Sequence, residues 1–98
     1  MSDQSTITVL IPTPLRRFTG GAGKVDLQGG TVAEILDALE VQHPGIGERL
    51  RDDSGQIRRF VNVFVNGNNV RDGDGIETSL APGDEVGIIP AMAGGSRS

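Results

Sequence analysis

The pattern that most constrains the fold of this chain is a single capped amphipathic helix, whose apolar stripe must be covered by another layer. Thr31 followed by Glu34 is the capping-box pattern of a helix N-terminus. The stripe follows at positions i, i+3, i+4 and i+7, and Pro44 and Gly45 end the helix after about three turns. Its members are Val32, Ile35, Leu36 and Leu39.

Apolar residues that alternate with polar ones predict the sheet that covers this helix. The first predicted strand begins near Ile7, and two more span Lys24–Gln28 and Ile57–Asn66. A short strand around Val70 and a last strand from Glu85 to about Pro90 follow. Asn66-Gly67 is a hairpin signal, and Ile46 to Leu50 predicts a short second helical turn. We therefore predict an α+β fold in which a mixed sheet of about four or five strands packs on one main amphipathic helix.

The length of the chain fits one such domain, because single domains cluster near about 100–150 residues and this chain has 98. We predict a disordered N-terminus over residues 1–6, a folded domain over 7–90 and a flexible C-terminal tail over 91–98. No apolar run approaches the roughly 20 residues of a membrane span, and no signal-peptide pattern is visible. These features favour a soluble cytoplasmic protein without membrane association.

The composition excludes several kinds of catalytic and metal-binding site. The chain has no cysteine and a single histidine, His43, which excludes thiolate nucleophiles and multi-histidine metal sites and disfavours a hydrolytic triad. The acidic loop over 72–75 lacks the glutamate that completes a calcium loop. The net charge of −4 disfavours nucleic acid as a partner. We therefore expect no metal site and no catalytic residue within this chain.

A pair of glycines, Gly94 and Gly95, follows the last predicted strand. A tail without bulky side chains is shaped to enter a narrow channel of another protein. A frayed terminus is the plainer interpretation, and the glycine pairs at 20–21 and 29–30 are explained as turns. The position directly beyond the last strand favours the functional interpretation of Gly94-Gly95.

Strand alternation also predicts an apolar patch beside this tail. If the valines of the strand over Ile57–Asn66 face the helix, Phe60 and Phe64 face outward, and Ile89 faces outward from the last strand. Such a patch is a candidate docking surface, although a loop or the N-terminal segment is equally able to cover the phenylalanines. The arginine pairs at 16–17 and 58–59 fit either an anion site or an ordinary solvated surface.

Together these motifs resemble the ubiquitin-like sulfur carriers, a family that includes ThiS- and MoaD-type proteins. The resemblance extends from Ile7 to Gly95 and implies a β-grasp (ubiquitin-like) fold. It is carried by the order of the elements, the strand and hairpin Phe60–Gly67, the turn Pro82–Val86 and the diglycine. Further segments are similar to the actinobacterial sulfur carriers of cysteine biosynthesis: Ile11–Thr13, Leu15-Arg16, Thr19–Gly21, Glu48–Leu50, Asn69–Arg71 and Pro90–Gly95.

The resemblance implies a carrier rather than an enzyme. An E1-like partner would use ATP to adenylate the carboxylate of Gly95, and sulfide, directly or through a persulfide donor, would displace AMP to leave a thiocarboxylate. That sulfur would pass to an acceptor, which in the cysteine pathway is held on a pyridoxal phosphate (PLP)-dependent synthase. Met92, Ala93 and Gly94 would carry Gly95 into the partner's site, and the carrier itself would bind no cofactor.

One departure from the family pattern concerns the residues after the diglycine. Ser96-Arg97-Ser98 follow it, so the Gly95 carbonyl lies in a peptide bond and cannot be adenylated as written. The resemblance implies cleavage between Gly95 and Ser96 by a JAMM-type zinc metalloprotease. A precursor extension is favoured over a cloning remnant or an inactive relative. Two other functions stay open: a ubiquitin-like covalent protein modifier and a non-catalytic β-grasp interaction domain.

Overall fold

The computed structural model describes residues 6–90, and the predicted order of strands and helices is confirmed within that range. Two helices accompany five strands and are named in chain order. The strands are β1 (Thr6–Leu10), β2 (Lys24–Gln28), β3 (Val61–Val65), β4 (Asn68–Asn69) and β5 (Glu85–Pro90), and the helices are α1 (Val32–Gln42) and α2 (Ile46–Leu50). Short 3-10 helices span Thr13–Thr19, Val70–Asp72 and Gly75–Glu77.

Strand β5, the last in the sequence, is the central strand of the sheet. The order is β2-β1-β5-β3-β4, with β5 parallel to β1 and antiparallel to β3. The pairs β1/β2 and β3/β4 are antiparallel hairpins on either side of it. This mixed sheet, covered on one face by α1, is the predicted β-grasp arrangement, and the α+β fold class is confirmed.

Helix α1 begins at the predicted capping box with one change in its hydrogen bonds. The backbone N–H of Glu34 donates to Oγ1 of Thr31 at 3.2 Å, as predicted. The Glu34 carboxylate, however, accepts from the N–H of Gly30 at 2.6 Å instead of that of Thr31, whose backbone forms a bridge with Ser79. All four residues of the helix stripe are at most 1% exposed, so α1 packs its apolar face fully onto the sheet.

The alternation in the strands is also confirmed, whereas several strand boundaries differ from the prediction. Thr6, predicted to lie in the disordered N-terminus, is the first residue of β1. The inward valines of β3 are buried, but β3 begins at Val61 and not at Ile57. Ile57 instead pairs with Arg51, and the N–H of Val61 closes a turn by donating to the carbonyl of Arg58 at 2.9 Å. Strand β4 ends at Asn69, because the Asn69 side chain caps the 3-10 turn that starts at Val70.

Candidate functional site

The candidate site is the end of β5, where the chain leaves the sheet. β3 pairs with the last residues of β5, and Val61 lies opposite Pro90. Pairing with β3 therefore fixes the position of Pro90, whereas β1 pairs only with the first half of β5. The predicted tail and processing residues Met92, Ala93, Gly94, Gly95 and Ser96 lie outside the described residues, so their roles stay predictions.

The turn that starts β5 is held by hydrogen bonds to Asp84. Its carboxylate accepts from the N–H of Ala81 at 2.8 Å and from Nδ2 of Asn66 at 3.0 Å. These donors hold the pKa of Asp84 below its usual range, with the Ala81 N–H as the largest cause. The Asn66 side chain in turn accepts from the N–H of Glu85 at 3.0 Å. Asp84 therefore joins the β3/β4 hairpin to β5 and fixes where β5 begins.

The face of the sheet away from α1, here called the outer face, carries part of the predicted docking patch. Ile89 is 53% exposed and lies opposite Asn62 of β3. Phe64 projects from the same face, opposite Gly87 of β5, and is half-buried. Both side chains therefore point outward, as predicted, and Ile89 is the more accessible of the two.

Phe60, the third predicted docking residue, lies in a different setting from that expected. It precedes β3 in a turn and is 51% exposed, whereas the sequence predicted it within the strand. Phe60 lines a groove together with Pro14, Leu15 and Pro90, here called the tail-exit groove. Phe60 is thus next to the end of β5, at the point where the tail begins.

Gly87 and Leu10 also lie on the outer face, although the sequence did not single them out. Gly87 lies between Leu10 of β1 and Phe64 of β3 in the register of the sheet. A Cβ atom added to Gly87 would meet no heavy atom within 4 Å, and its φ lies outside the left-handed region. Neither packing nor backbone geometry requires glycine at this position. The absence of a side chain at Gly87 leaves the centre of the outer face flat. In the sequence, the feature that could have identified this position was a glycine at an outward-facing position of an apolar strand.

Two kinds of feature are absent from the part of the chain that the structure describes. No group of three or more histidine, cysteine, aspartate or glutamate side chains within residues 6–90 is placed to hold a metal ion. In that same range no helix has the length and apolar character needed to cross a membrane.

Comparison with known proteins identifies one family across nearly the whole chain. The ThiS family model matches residues 9–95. Sulfur carrier protein CysO of Mycobacterium tuberculosis is 47% identical over 91 residues, which cover 91% of this chain and 98% of that protein. The crystal structure of M. tuberculosis CysO matches with a TM-score of 0.83 at 45% identity, covering 88% of this chain and 99% of CysO.

Two further relatives bear on partners and on other functions. The Amycolatopsis orientalis BexX/CysO complex contains a chain that matches with a TM-score of 0.85 at 44% identity, covering 88% of this chain and 96% of that one. Small archaeal modifier protein 3 of Haloferax volcanii is 42% identical over 65 residues, or 66% of this chain and 70% of that protein.

Proposed function

This chain belongs to the ThiS family and is a sulfur carrier of the CysO type, and we propose that it carries sulfur as a thiocarboxylate on Gly95. Removal of Ser96–Ser98 exposes the Gly95 carboxylate, which an ATP-dependent E1-like enzyme adenylates. Sulfide, supplied directly or released from a persulfide donor, displaces AMP and leaves the thiocarboxylate, which donates its sulfur in the biosynthesis of cysteine or a related thio-metabolite. The chain is then a co-substrate of its partner enzymes and needs no bound cofactor of its own.

The observation that carries this proposal is the exit of the chain from the central strand. Pro90 is the last residue of β5, and five residues separate the end of this strand from the carboxyl group of Gly95. An extended segment of that length spans at most about 17 Å. Ala93, Gly94 and Gly95 have small or absent side chains, which suits a narrow channel that ends at a buried adenylation site.

We assign three partners to this cycle. The E1-like enzyme activates the tail, a JAMM-type zinc metalloprotease removes Ser96–Ser98, and a PLP-dependent synthase accepts the sulfur. The BexX/CysO complex supports the general idea that a CysO-type carrier binds a partner protein. We propose the outer face, with Ile89 and Phe64, and the neighbouring Phe60 as the docking surface. Because the cycle consumes ATP, we propose a cytoplasmic location.

Intact-mass measurement tests the role of Gly95. Three chains are incubated with the activating enzyme, ATP and sulfide: the full-length chain, a chain that ends at Gly95 and a chain that ends at Gly94. Only the chain that ends at Gly95 should gain the mass difference between oxygen and sulfur. The full-length chain should gain it only after the metalloprotease has removed three residues. A full-length chain that gains sulfur while retaining Ser96–Ser98 would contradict the proposal.

A second candidate function is a covalent protein modifier. The similarity to small archaeal modifier protein 3 favours it, because that relative is named as a modifier. Adducts of the chain that survive reducing, denaturing electrophoresis and depend on Gly95 would support this function. A non-catalytic interaction domain, the remaining alternative, would bind its partner equally well when Gly94 and Gly95 are deleted.

A further inference from the structure

We propose that a cluster of arginines around the exit of the tail binds an acidic, partly apolar segment at the mouth of the activating enzyme, an inference that rests on the proposed function. The tail-exit groove contains Arg17 and Arg49 in addition to its apolar residues. A neighbouring hollow shares Phe60 with this groove and contains three more arginines. We call this set the arginine cluster: Arg17, Arg49, Arg58, Arg59 and Arg71.

The positive charge of this cluster is not neutralised by ion pairs within the described domain. The one salt bridge found among residues 6–90 joins Arg51 to Asp37, and neither belongs to the cluster. Asp52 is the carboxylate that lines the neighbouring hollow, and its Oδ1 accepts hydrogen bonds from Ser54 and Gln56 of its own turn. Asp52 nevertheless attracts Arg58 electrostatically, so the charges most available to a carboxylate of another protein are those of the other arginines in the cluster.

Four of the five arginine side chains are nevertheless held in place. Arg58 donates from Nε to the carbonyl of Glu48 at 2.8 Å, and Arg71 donates from Nη2 to the carbonyl of Val61 at 2.7 Å. The guanidinium carbons of Arg17 and Arg49 lie 5.0 and 5.7 Å from the centre of the Phe18 ring. Backbone carbonyls and an aromatic ring orient these groups while leaving their formal charges in place. Such preorganisation lowers the entropy lost when a partner binds.

Three of the acidic residues of the chain lie at the other end of β5. Asp72, Asp74 and Asp84 line a hollow there, beside Val65, the last residue of β3. Val61, the first residue of β3, lies opposite Pro90 at the tail end. An acidic chain with a net charge of −4 therefore presents positive charge where its tail leaves and negative charge at the far end. This polarity would orient the chain tail-first toward a negatively charged surface.

The length of the tail determines which part of the partner meets the cluster. With the segment from 91 to 95 extended to about 17 Å, the arginines remain outside the channel that receives Gly95. They therefore contact the rim of that channel and not the phosphates of ATP. Pro14, Leu15 and Phe60 are apolar residues that line the same groove as Arg17 and Arg49. The matching segment of the activating enzyme is an apolar side chain flanked by carboxylates.

A charge-matched pair of double variants tests this inference in a chain that ends at Gly95. R17Q/R49Q removes two positive charges from the cluster, and N68D/S79D adds two negative charges at exposed positions of the acidic end. ATP–pyrophosphate exchange by the activating enzyme is measured against carrier concentration at low and high salt. We expect R17Q/R49Q to raise KM about tenfold at low salt with kcat unchanged, since surface charges affect encounter more than chemistry. The difference should shrink at high salt because salt screens exposed charges.

The control double variant should keep KM within about twofold of the unmodified chain, because it leaves the cluster intact. R17K/R49K should retain most of the affinity, and unfolding curves of all variants check that the fold is kept. An unchanged KM for R17Q/R49Q, or an equal rise for N68D/S79D, would overturn the assignment of the cluster. Absence of exchange with the unmodified chain would instead overturn the proposed function.

Discussion

Substitutions at Gly87 distinguish most clearly between a structural role and a docking role of the outer face. The position is open, since a Cβ atom there would meet no heavy atom within 4 Å. G87A therefore adds a methyl group without a clash and reduces the conformational freedom of the unfolded chain. We expect G87A to raise the free energy of unfolding by about 0.5–1 kcal/mol, because glycine is unfavourable in a strand interior by that amount.

A long side chain at the same position should keep the fold intact and prevent a partner from docking. In G87K the lysine projects from the centre of the outer face, between Leu10 and Phe64, and holds a docked partner away from the sheet. Loss of contact at the centre of an interface costs about 2 kcal/mol or more, which corresponds to roughly 30-fold in affinity. We therefore expect G87K to unfold at a urea concentration close to that of the unmodified chain and to raise the KM of activation about 30-fold.

The measurements are urea unfolding for stability and thiocarboxylate formation, followed by intact mass, for activation. Each variant is made in the chain that ends at Gly95, so that processing does not limit the reaction. Activation of a folded G87K at the KM of the unmodified chain would refute the assignment of the outer face as a docking surface. A clear destabilisation of G87A would show instead that glycine is required by the fold.

Two other predictions address the docking patch and the turn into β5. I89D should lower activation at least tenfold while keeping the unfolding curve, because Ile89 is 53% exposed and its loss leaves no cavity; a normal rate would contradict its role. The lowered pKa of Asp84 means that its contribution to stability is present above the usual carboxyl pKa and is lost as pH falls through its folded pKa. D84N should therefore destabilise the chain at neutral pH and less so near pH 3 in urea unfolding; equal effects at both pH values would contradict this.

Local sequence patterns were sufficient to predict the structural elements that depend on interactions between residues close together in the chain. Thr31 caps α1 as predicted, because a hydroxyl acceptor three residues before a free N–H needs no distant partner. Asn66 and Gly67 turn the β3/β4 hairpin with φ values of 50° and 89°, which this dipeptide tolerates well. The inward residues of the long strands follow from alternation alone.

The arginine cluster could not be predicted from the sequence, because it depends on contacts that form only when separate segments of the chain pack together. Glu40 accepts from the N–H groups of Gly45 at 3.0 Å and Gly47 at 2.7 Å, and these bonds lower the pKa of its carboxyl group. That carboxylate fixes the loop between the two helices, and α2 then presents Arg49 to Phe18. No periodicity in the sequence connects residues 18 and 49. The arginine cluster is therefore visible only after the chain has folded.

The placement of the two proposed surfaces implies that they contribute to different kinetic steps. The arginine cluster and the outer face both border the end of β5, the first beside Pro90 and the second at Ile89. Charges act over about a Debye length and accelerate encounter, whereas apolar contacts form only after the partner has docked. R17Q/R49Q should therefore slow association in a salt-dependent way, and I89D should speed dissociation at every salt concentration. Because the diglycine tail has few side chains to recognise, these surfaces supply the specificity that the tail lacks.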